Sequence, residues 1–487
     1  MTNLAVPHGQ SYRGGMNDAP DNSAAPALQR TLGGWQVLFY GLGSMLGAGI
    51  YGLVGKGAGI MGNAIWAGFV TAMVAALLTG LSYASVGSRH PKAGGAAYIT
   101  GRAFRSPVLS TTVGVAVMMS GLTSMATGLQ VIAVKLLESH QGEKLMKFIS
   151  SQSVLGWLDS SLSIKCIAIA IAALVGVVIF RGIRESIWLN TLCTVIEAGG
   201  LLFIIAVGCR FWGSVDYFET PPVVAGSDGV GGLTAALLMQ GALLTFFSFI
   251  GFEDILNVSE EVKNPRRDVP FGLVGAMILA TLIYVAVAIT AVSVLGWEAL
   301  SKSEHPLDEV AARAAPWFTG LDKVFYAVTI FAIGNTALLN YLMGSRLLYG
   351  MGTQGLLPPV LSRIHSRRQT PHVAIVCLFA IVAALVSAGD VKALAEATVL
   401  LLLAVFALMN AALVILKRRP GEEHGGFEIP VLVPVLGALV CAVLFGNRLY
   451  QAVISKDDAM RTAPLVALAI LAAGMVIGMV RGKQSRV

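Results

Sequence analysis

Charge is missing from most of this sequence in long blocks. Residues 31–55, 57–88, 106–134, 166–180, 186–196, 198–209, 229–252, 269–297, 324–345, 369–389, 397–416, 429–447 and 462–480 contain no Asp, Glu, Lys or Arg. A helix needs about 20 apolar residues to cross the hydrocarbon of a bilayer. Every backbone N–H and C=O has to be paired there, which leaves helices and closed barrels as the spanning structures. The blocks lack the alternation of a barrel strand. Joining 186–196 to 198–209 across Glu197 gives twelve helices. They lie near 35–58, 63–87, 107–134, 164–181, 187–210, 235–259, 270–296, 321–350, 371–388, 393–416, 430–448 and 462–481. The expected fold class is an all-α polytopic membrane protein with twelve transmembrane helices.

Composition agrees, with 55% hydrophobic and only 13% charged residues, where a soluble domain carries about 25% charge. The net charge of +7 is topological rather than a sign of nucleic-acid binding. With a cytoplasmic N-terminus and alternating spans, Lys and Arg divide 21 inside and 13 outside. Asp and Glu divide 9 inside, 15 outside and 3 within spans. That is the positive-inside pattern, so no nucleic-acid partner is expected and both termini are expected in the cytoplasm. Residues 1–30 are polar, lack the apolar core of a signal peptide, and read as a disordered cytoplasmic tail. Cys166, Cys193, Cys209, Cys377 and Cys441 sit in or beside apolar segments without a CxxC pair, so neither a disulfide framework nor a metal site is expected. No GxxxxGK[ST] segment suggests ATP use. No cluster of His, Ser–Asp or paired carboxylates suggests an enzyme, and no cofactor is expected.

Two of the spans are interrupted. The stretch "FYGLGSMLGAGIYGLVGKGAG" (39–59) holds eight glycines, each costing a helix interior about 1 kcal/mol relative to alanine. Its centre is Gly47-Ala48-Gly49. Five spans later, "FFSFIGFEDI" places Gly251 just before Glu253 and Asp254. Interruptions at matching positions of two five-helix halves are the best sequence pointer to a transporter's binding site. A broken helix leaves free N–H groups at one half-helix start and free C=O groups at the other half's end. An amino acid's carboxylate suits the first and its ammonium the second. Close helix packing is the competing account of the glycines.

Four stretches resemble the amino acid–polyamine–organocation transporters, especially bacterial amino-acid permeases. "GLGSMLGAGIYGLVG" is similar to the family's first-helix signature. "RHPKAGGAAYITGRAF" (89–104) is similar to its loop between helices 2 and 3. "FFSFIGFEDILNVSEEVKNPRRDVP" (246–270) is similar to its sixth helix and the stretch after it, and is the most specific match. "GSRLLYGMGTQGLLPPVLSRIHSRRQTP" (344–371) is similar to its loop from helix 8 to helix 9. The resemblance implies a five-plus-five inverted repeat with broken helices 1 and 6, two peripheral helices, and alternating access around a midplane site between helices 1, 3, 6, 8 and 10. The implied organisation is a 1–30 tail, a 31–420 ten-helix transport core, peripheral helices over 421–481, and a 482–487 tail. It implies that Gly47, Ala48 and Gly49 offer N–H groups to a substrate carboxylate, that Met45 and Leu46 offer carbonyls to its ammonium, and that Phe247, Ser248 and Ile250 surround the second break.

Intramembrane carboxylates are costly and therefore functional candidates. Glu197 stands alone in its span. Related permeases often carry Lys there, as a stand-in for a sodium ion and a proton carrier. A Glu has the opposite charge; it binds a proton where burial disfavours its ionised form, or helps hold a cation. Glu253 and Asp254 should point about 100° apart on a helix, so only one is expected on the substrate path. Glu253 is the candidate for gating or cation handling, and Asp254 for capping or pairing. Glu260, Glu261, Lys263, Arg266, Arg267 and Asp268 read either as a solvated anchor or as inner-gate partners. Asn335 is either substrate-facing or a helix–helix hydrogen-bonding group.

The expected function is secondary transport of neutral or cationic amino acids, by proton symport or exchange, in a bacterial inner membrane. A polyamine or organocation carrier and a nutrient sensor on the same scaffold are the alternatives.

Overall fold

The computed structural model describes residues 28–138, 160–221, 232–303, 305–388, 391–454 and 458–484. Most of the expected N-terminal tail, residues 1–27, lies outside the described residues, as do 485–487 of the C-terminal one. Apart from one backbone bridge between Leu32 and Val262, the described residues form helices and their connections. Among the described residues, ten segments are long and apolar enough to cross a membrane, and His372–Ser387 is a shorter apolar helix.

Helices α1 (Gly34–Leu46) and α2 (Ala48–Met61) together cover the glycine-rich stretch. Gly62, at φ +65, ends α2 against the carbonyl of Glu219 and begins the turn into α3 (Ile65–Arg89). The stretch 89–105 is not a plain loop: it holds helix α4 (Gly95–Phe104). Then come α5 (Pro107–Glu138), α6 (Ser160–Arg181) and α7 (Ile183–Gly208). Thr234 caps α8 (Ala235–Thr245), its hydroxyl accepting from the Leu237 N–H at 3.2 Å, which satisfies one of the unpaired donors of a helix start. The one-turn α9 (Ile255–Val258) follows the second interruption. Pro265 opens the 31-residue α10 (Pro265–Leu295), where a proline's missing N–H costs nothing. Short α11 (Trp297–Lys302) and α12 (Pro306–Ala314) lie across the far end. The bundle closes with α13 (Leu321–Thr353), α14 (His372–Ala388), α15 (Val391–Arg418), α16 (Leu432–Ile454) and α17 (Asp458–Gln484).

α1 packs on α7 and α10, α5 on α13 and α15, and α10 on α3. The centre is tightly apolar, with Phe69, Phe249, Phe252, Tyr284, Phe325 and Phe406 buried. α16 and α17 rest on α15, α3 and α5 and keep large apolar side chains exposed, such as Leu439 and Leu465. That is the surface a lipid contact requires rather than an aqueous one. The ends of the bundle differ. The stretches 89–105, 259–268, 346–372 and 417–428 gather at one, called the basic end below; α11 and α12 lie at the other, the far end.

Candidate functional site

At the first break a single residue, Gly47, separates α1 from α2 with φ −46 and ψ −157. That φ suits any residue. Glycine is required by proximity, because a Cβ at Gly47 would run into the Thr336 hydroxyl on α13. No side chain caps α2, and the first N–H groups of any helix lack a partner within it.

The second break is longer. Phe246–Phe249 form a 3₁₀ turn, Ile250 is extended, Gly251 has φ +123, and Phe252–Asp254 form another 3₁₀ turn. Few residues other than glycine adopt that φ. Gly251 also lies on α1: a Cβ there would stand 2.7 Å from the Ser44 carbonyl oxygen. The Gly251 N–H donates to Glu253 Oε2 at 2.8 Å, and the Ser44 hydroxyl donates to Asp254 Oδ2 at 3.0 Å. From α10, the Tyr284 hydroxyl lies 2.6 Å from the Met45 carbonyl and 2.9 Å from the Ser248 carbonyl. One O–H thus joins both breaks. Sequence reasoning missed it, although Tyr284 is the single tyrosine of the 269–297 block.

Between the breaks and α5, α13 and α15 lies a cavity of about 230 Å³. Met45, Gly47, Phe247, Ile250 and Glu253 border it. Leu46 and Ser248 do not. Leu46 turns its side chain into the core, and a 3₁₀ turn of three residues sets Phe247 and Ile250 on one side and Ser248 on another. Ala48 and Gly49 begin α2; what surrounds them lies outside the described residues. Asp254 also borders the cavity, which corrects the expectation that only one of the two carboxylates could. The 100° argument assumed an α-helix. In the turn after Gly251, Glu253 folds back to that residue's N–H while Asp254 reaches across to Ser44.

The opposite wall is hydroxyl-rich: Ser120, Ser124 and Thr127 on α5, Thr336 on α13 and Thr398 on α15. Spacing of four and three residues places the α5 trio on one helix face, a signal that could have identified the wall. Among the described residues, the lining carries two carboxylates and no Lys, Arg or His.

Glu197 is not on this cavity. It is fully buried in α7, neither oxygen meets a partner in good hydrogen-bond geometry, and its polar neighbour is the Asn335 amide. Asn335 Nδ2 lies 3.3 Å from Thr194 Oγ1, so it joins helices rather than facing the cavity; Asn340 faces it instead. α1 is pressed into this polar patch at Gly43, where a Cβ would lie 2.7 Å from Asn335 Nδ2 and 2.8 Å from Asn190 Oδ1.

The basic end is closed. Arg346 and Glu261, both fully buried, form a bidentate ion pair at 3.0 and 3.3 Å. The Glu261 carbonyl accepts from the N–H groups of Thr31 and Leu32, and the Lys263 N–H donates to the Leu32 carbonyl. Glu260 accepts from the Ala93 N–H at 2.8 Å. The 260–268 cluster is thus split: Glu261 is sealed inside, while Lys263, Arg266 and Arg267 are exposed. A second network ties the 419–428 stretch to α3 and α4. Glu428 pairs with Arg89 and Lys417, and Glu422 with Arg102 at 2.6 Å and His90 at 3.0 Å. Burial opposes the charge on Glu428, but the bonds from Arg89 and Lys417 win and hold its pKa at about 2. Burial, then the Arg102 charge, lower the His90 pKa below its ordinary 6.5.

Known proteins match this chain over most of its length. Residues 32–476 match the amino acid permease family model. A chloroplastic cationic amino acid transporter of Arabidopsis thaliana is 30% identical over 353 residues, covering 71% of this chain and 59% of that protein. A branched-chain amino acid permease of Bacillus subtilis is 26% identical, covering 87% of this chain and 89% of its own. A methylthioribose transporter of the same bacterium is 25% identical, covering 86% and 88%. With its helical bundle and two broken helices, the chain belongs to the amino acid permease family, a family of transporters rather than enzymes.

Proposed function

We propose that this protein is a secondary active amino-acid transporter that works by alternating access, with its basic end shut and its cavity reachable from the far end. The observation that carries this reading is the cavity itself: uncapped N–H groups at the start of α2, two carboxylates at the second break, and no basic side chain among the described lining residues. The α2 start suits a substrate carboxylate, since a helix N-terminus favours anions. The carboxylate pair suits an ammonium or a cationic side chain. Phe247 and Val131, on the lining, are 40% and 39% exposed, whereas Arg346 and Glu261 are sealed.

The substrate is a neutral or cationic amino acid. The relatives' names include both classes, and the carboxylates favour the cationic one. A polyamine would use the same carboxylates and leave the α2 N–H groups unmatched. Splitting the Leu53–Arg89 segment at Gly62–Ala64, and counting His372–Ser387, brings the spans to twelve. Breaks in the first and sixth support two inverted five-helix halves, with α16 and α17 peripheral. The Lys and Arg distribution supports a cytoplasmic basic end, and the Bacillus relatives support a bacterial inner membrane.

Glu197 is the coupling group in this reading, taking up and releasing a proton behind the cavity. Its support is full burial in a span with no charged partner among the described residues, beside the polar patch of Asn335, Thr194 and Asn190 that packs against α1. The test is uptake by proteoliposomes of a panel of labelled amino acids and polyamines, with and without a pH gradient and sodium. Saturable uptake and counterflow of an amino acid are expected; flux that neither saturates nor exchanges would sink the carrier reading. Glu197→Gln should lose uptake driven by the pH gradient and keep exchange. Wild-type behaviour in both would remove Glu197 from coupling.

A further inference from the structure

A second cavity, of about 390 Å³, lies at the basic end, between α4, the first turn of α5 and the residues that follow α13. Tyr98, Arg102, Arg105, Ser106 and Gln354 are among the residues that line it. Its charge is one-sided: among the described residues, the lining holds two guanidinium groups and no carboxylate. The neighbouring carboxylate, Glu422, is already shared between Arg102 at 2.6 Å, His90 at 3.0 Å and Arg419 at 3.9 Å. Arg419 also donates to the carbonyls of Arg102 and Ala103. Arg102 gives its Nε to Glu422, yet its side chain stays 38% exposed. Arg105 is exposed and pairs with no carboxylate among the described residues. It ends α4 at φ +53, its N–H on the Gly101 carbonyl at 2.9 Å. Glycine is the usual residue at such a helix end, so the chain keeps a large cation where a small neutral residue would be at ease.

The cavity also adjoins the apolar outside of the bundle. α17 packs on α5. A Cβ on Gly474 would lie 2.9 Å from Thr112 Cα, and one on Gly478 would lie 2.8 Å from Val108 Cα, the residue after Pro107 of the lining. The last turns of α17 therefore run beside the cavity. Their other side is exposed and apolar, with Val476 at 60% and Val480 at 55%. Arg481, three residues after Gly478, shares the side of α17 that meets α5.

We propose that this cavity seats the phosphate of an anionic phospholipid from the leaflet at the basic end. Arg105 and Arg102 hold the phosphate, Arg481 adds charge beside them, and the acyl chains lie along the exposed side of α17. A guanidinium matches phosphate oxygens two at a time, and basic pockets between membrane helices suit anionic headgroups. Free phosphate would meet the same guanidinium groups and leave the apolar side of α17 unused; that side selects an amphiphile. The site is separate from the substrate cavity and independent of the role given to Glu197.

The experiment titrates the full chain, in a nonionic detergent, with phosphatidylglycerol, phosphatidylcholine or inorganic phosphate. Native mass spectrometry counts the bound lipid. Phosphatidylglycerol should bind saturably and about tenfold tighter than phosphatidylcholine, and inorganic phosphate at equal concentration should not displace it. Arg105→Gly relieves the backbone while removing the charge, so the protein should keep its lipid-free melting temperature and bind phosphatidylglycerol about fivefold more weakly, the factor for one basic residue near an anionic surface. Arg105→Lys should recover most of that loss. Arg105→Gly/Arg481→Gln should weaken binding about twenty-five-fold if the two charges act independently. Arg367→Gln removes an exposed arginine of the basic end that is not on the cavity and should change nothing. Equal weakening by Arg367→Gln would reduce the attraction to general surface charge and overturn the site. Displacement by inorganic phosphate would make it a soluble-anion site, and equal binding of the two lipids would leave no headgroup site at all; either result overturns the proposal.

Discussion

At the first break one residue separates helices of 13 and 14 residues; at the second, the nine residues from Phe246 to Asp254 leave regular α-helix. The short break leaves its helix start uncapped. The long one satisfies itself, with Glu253 on the Gly251 N–H and Asp254 on Ser44. In a low-dielectric interior an unpaired polar group is costly, so the uncapped break is the one that gains most from a ligand. The self-satisfied break supplies charge and shape instead. The two glycines differ in the same sense: Gly47 is required by a neighbouring side chain, Gly251 by its own backbone and by another's.

That contrast is most exposed to substitution at the glycines. Gly251→Ala forces a strained φ, about 1–3 kcal/mol by itself, and drives a Cβ onto the Ser44 backbone. We expect the largest loss here, of both melting temperature in detergent and substrate binding, with no single side-chain truncation restoring it. Gly47→Ala meets only the Thr336 hydroxyl, so Gly47→Ala/Thr336→Ala should recover most of what the single change loses. If the double variant is no better, the first break needs its glycine for another reason.

Tyr284→Phe asks whether the breaks act together. It removes the hydroxyl from two buried carbonyls at once, a loss of about 1–3 kcal/mol. Stability should fall and substrate affinity should weaken about tenfold; unchanged binding would make the breaks independent. Asp254→Asn keeps an acceptor for Ser44 and deletes the charge. Affinity for lysine should fall about fivefold, under 1 kcal/mol, with leucine little affected; equal losses for both would make Asp254 a structural group.

The smallest effect belongs to the basic end. The His90 pKa is lowered, so the unfolded chain binds more protons than the folded one, and stability falls as pH drops through 6.5. Glu428, held at about 2, keeps its contribution above its ordinary 4.5 and loses it only between there and about 2. Melting temperature should therefore slip slightly between pH 7 and 5, and His90→Gln should abolish that slope without touching either break. A slope that persists in the variant would place the titrating group elsewhere.

How much of this was legible follows from what each feature depends on. The charge-free blocks could be read because hydrocarbon excludes charge at every position, a local constraint. The breaks could be read as a pair because Gly47 and Gly251 both interrupt charge-free spans, five spans apart. Tyr284 could not be assigned its partners, since they lie 239 and 36 residues away. Arg346 reads in sequence as one more basic residue near a membrane edge, yet it is sealed against Glu261, 85 residues distant. The Glu253–Asp254 error came from assuming helical geometry where Gly251 had already ended it.

If the protein works by alternating access as proposed, the Arg346–Glu261 pair would give the two sides of the membrane unequal access. Parting a buried ion pair costs about 3–5 kcal/mol when one charge is left uncompensated. If the basic end opens by parting this pair at a cost of only about 3 kcal/mol, roughly one molecule in a hundred or fewer is open that way without substrate. A ligand arriving from that side then binds more weakly by the same factor, even though the cavity it reaches is the same. The protein would work as a rectifier, loading readily from the far end and poorly from the basic one, with the bias stored in two residues that never touch the cargo.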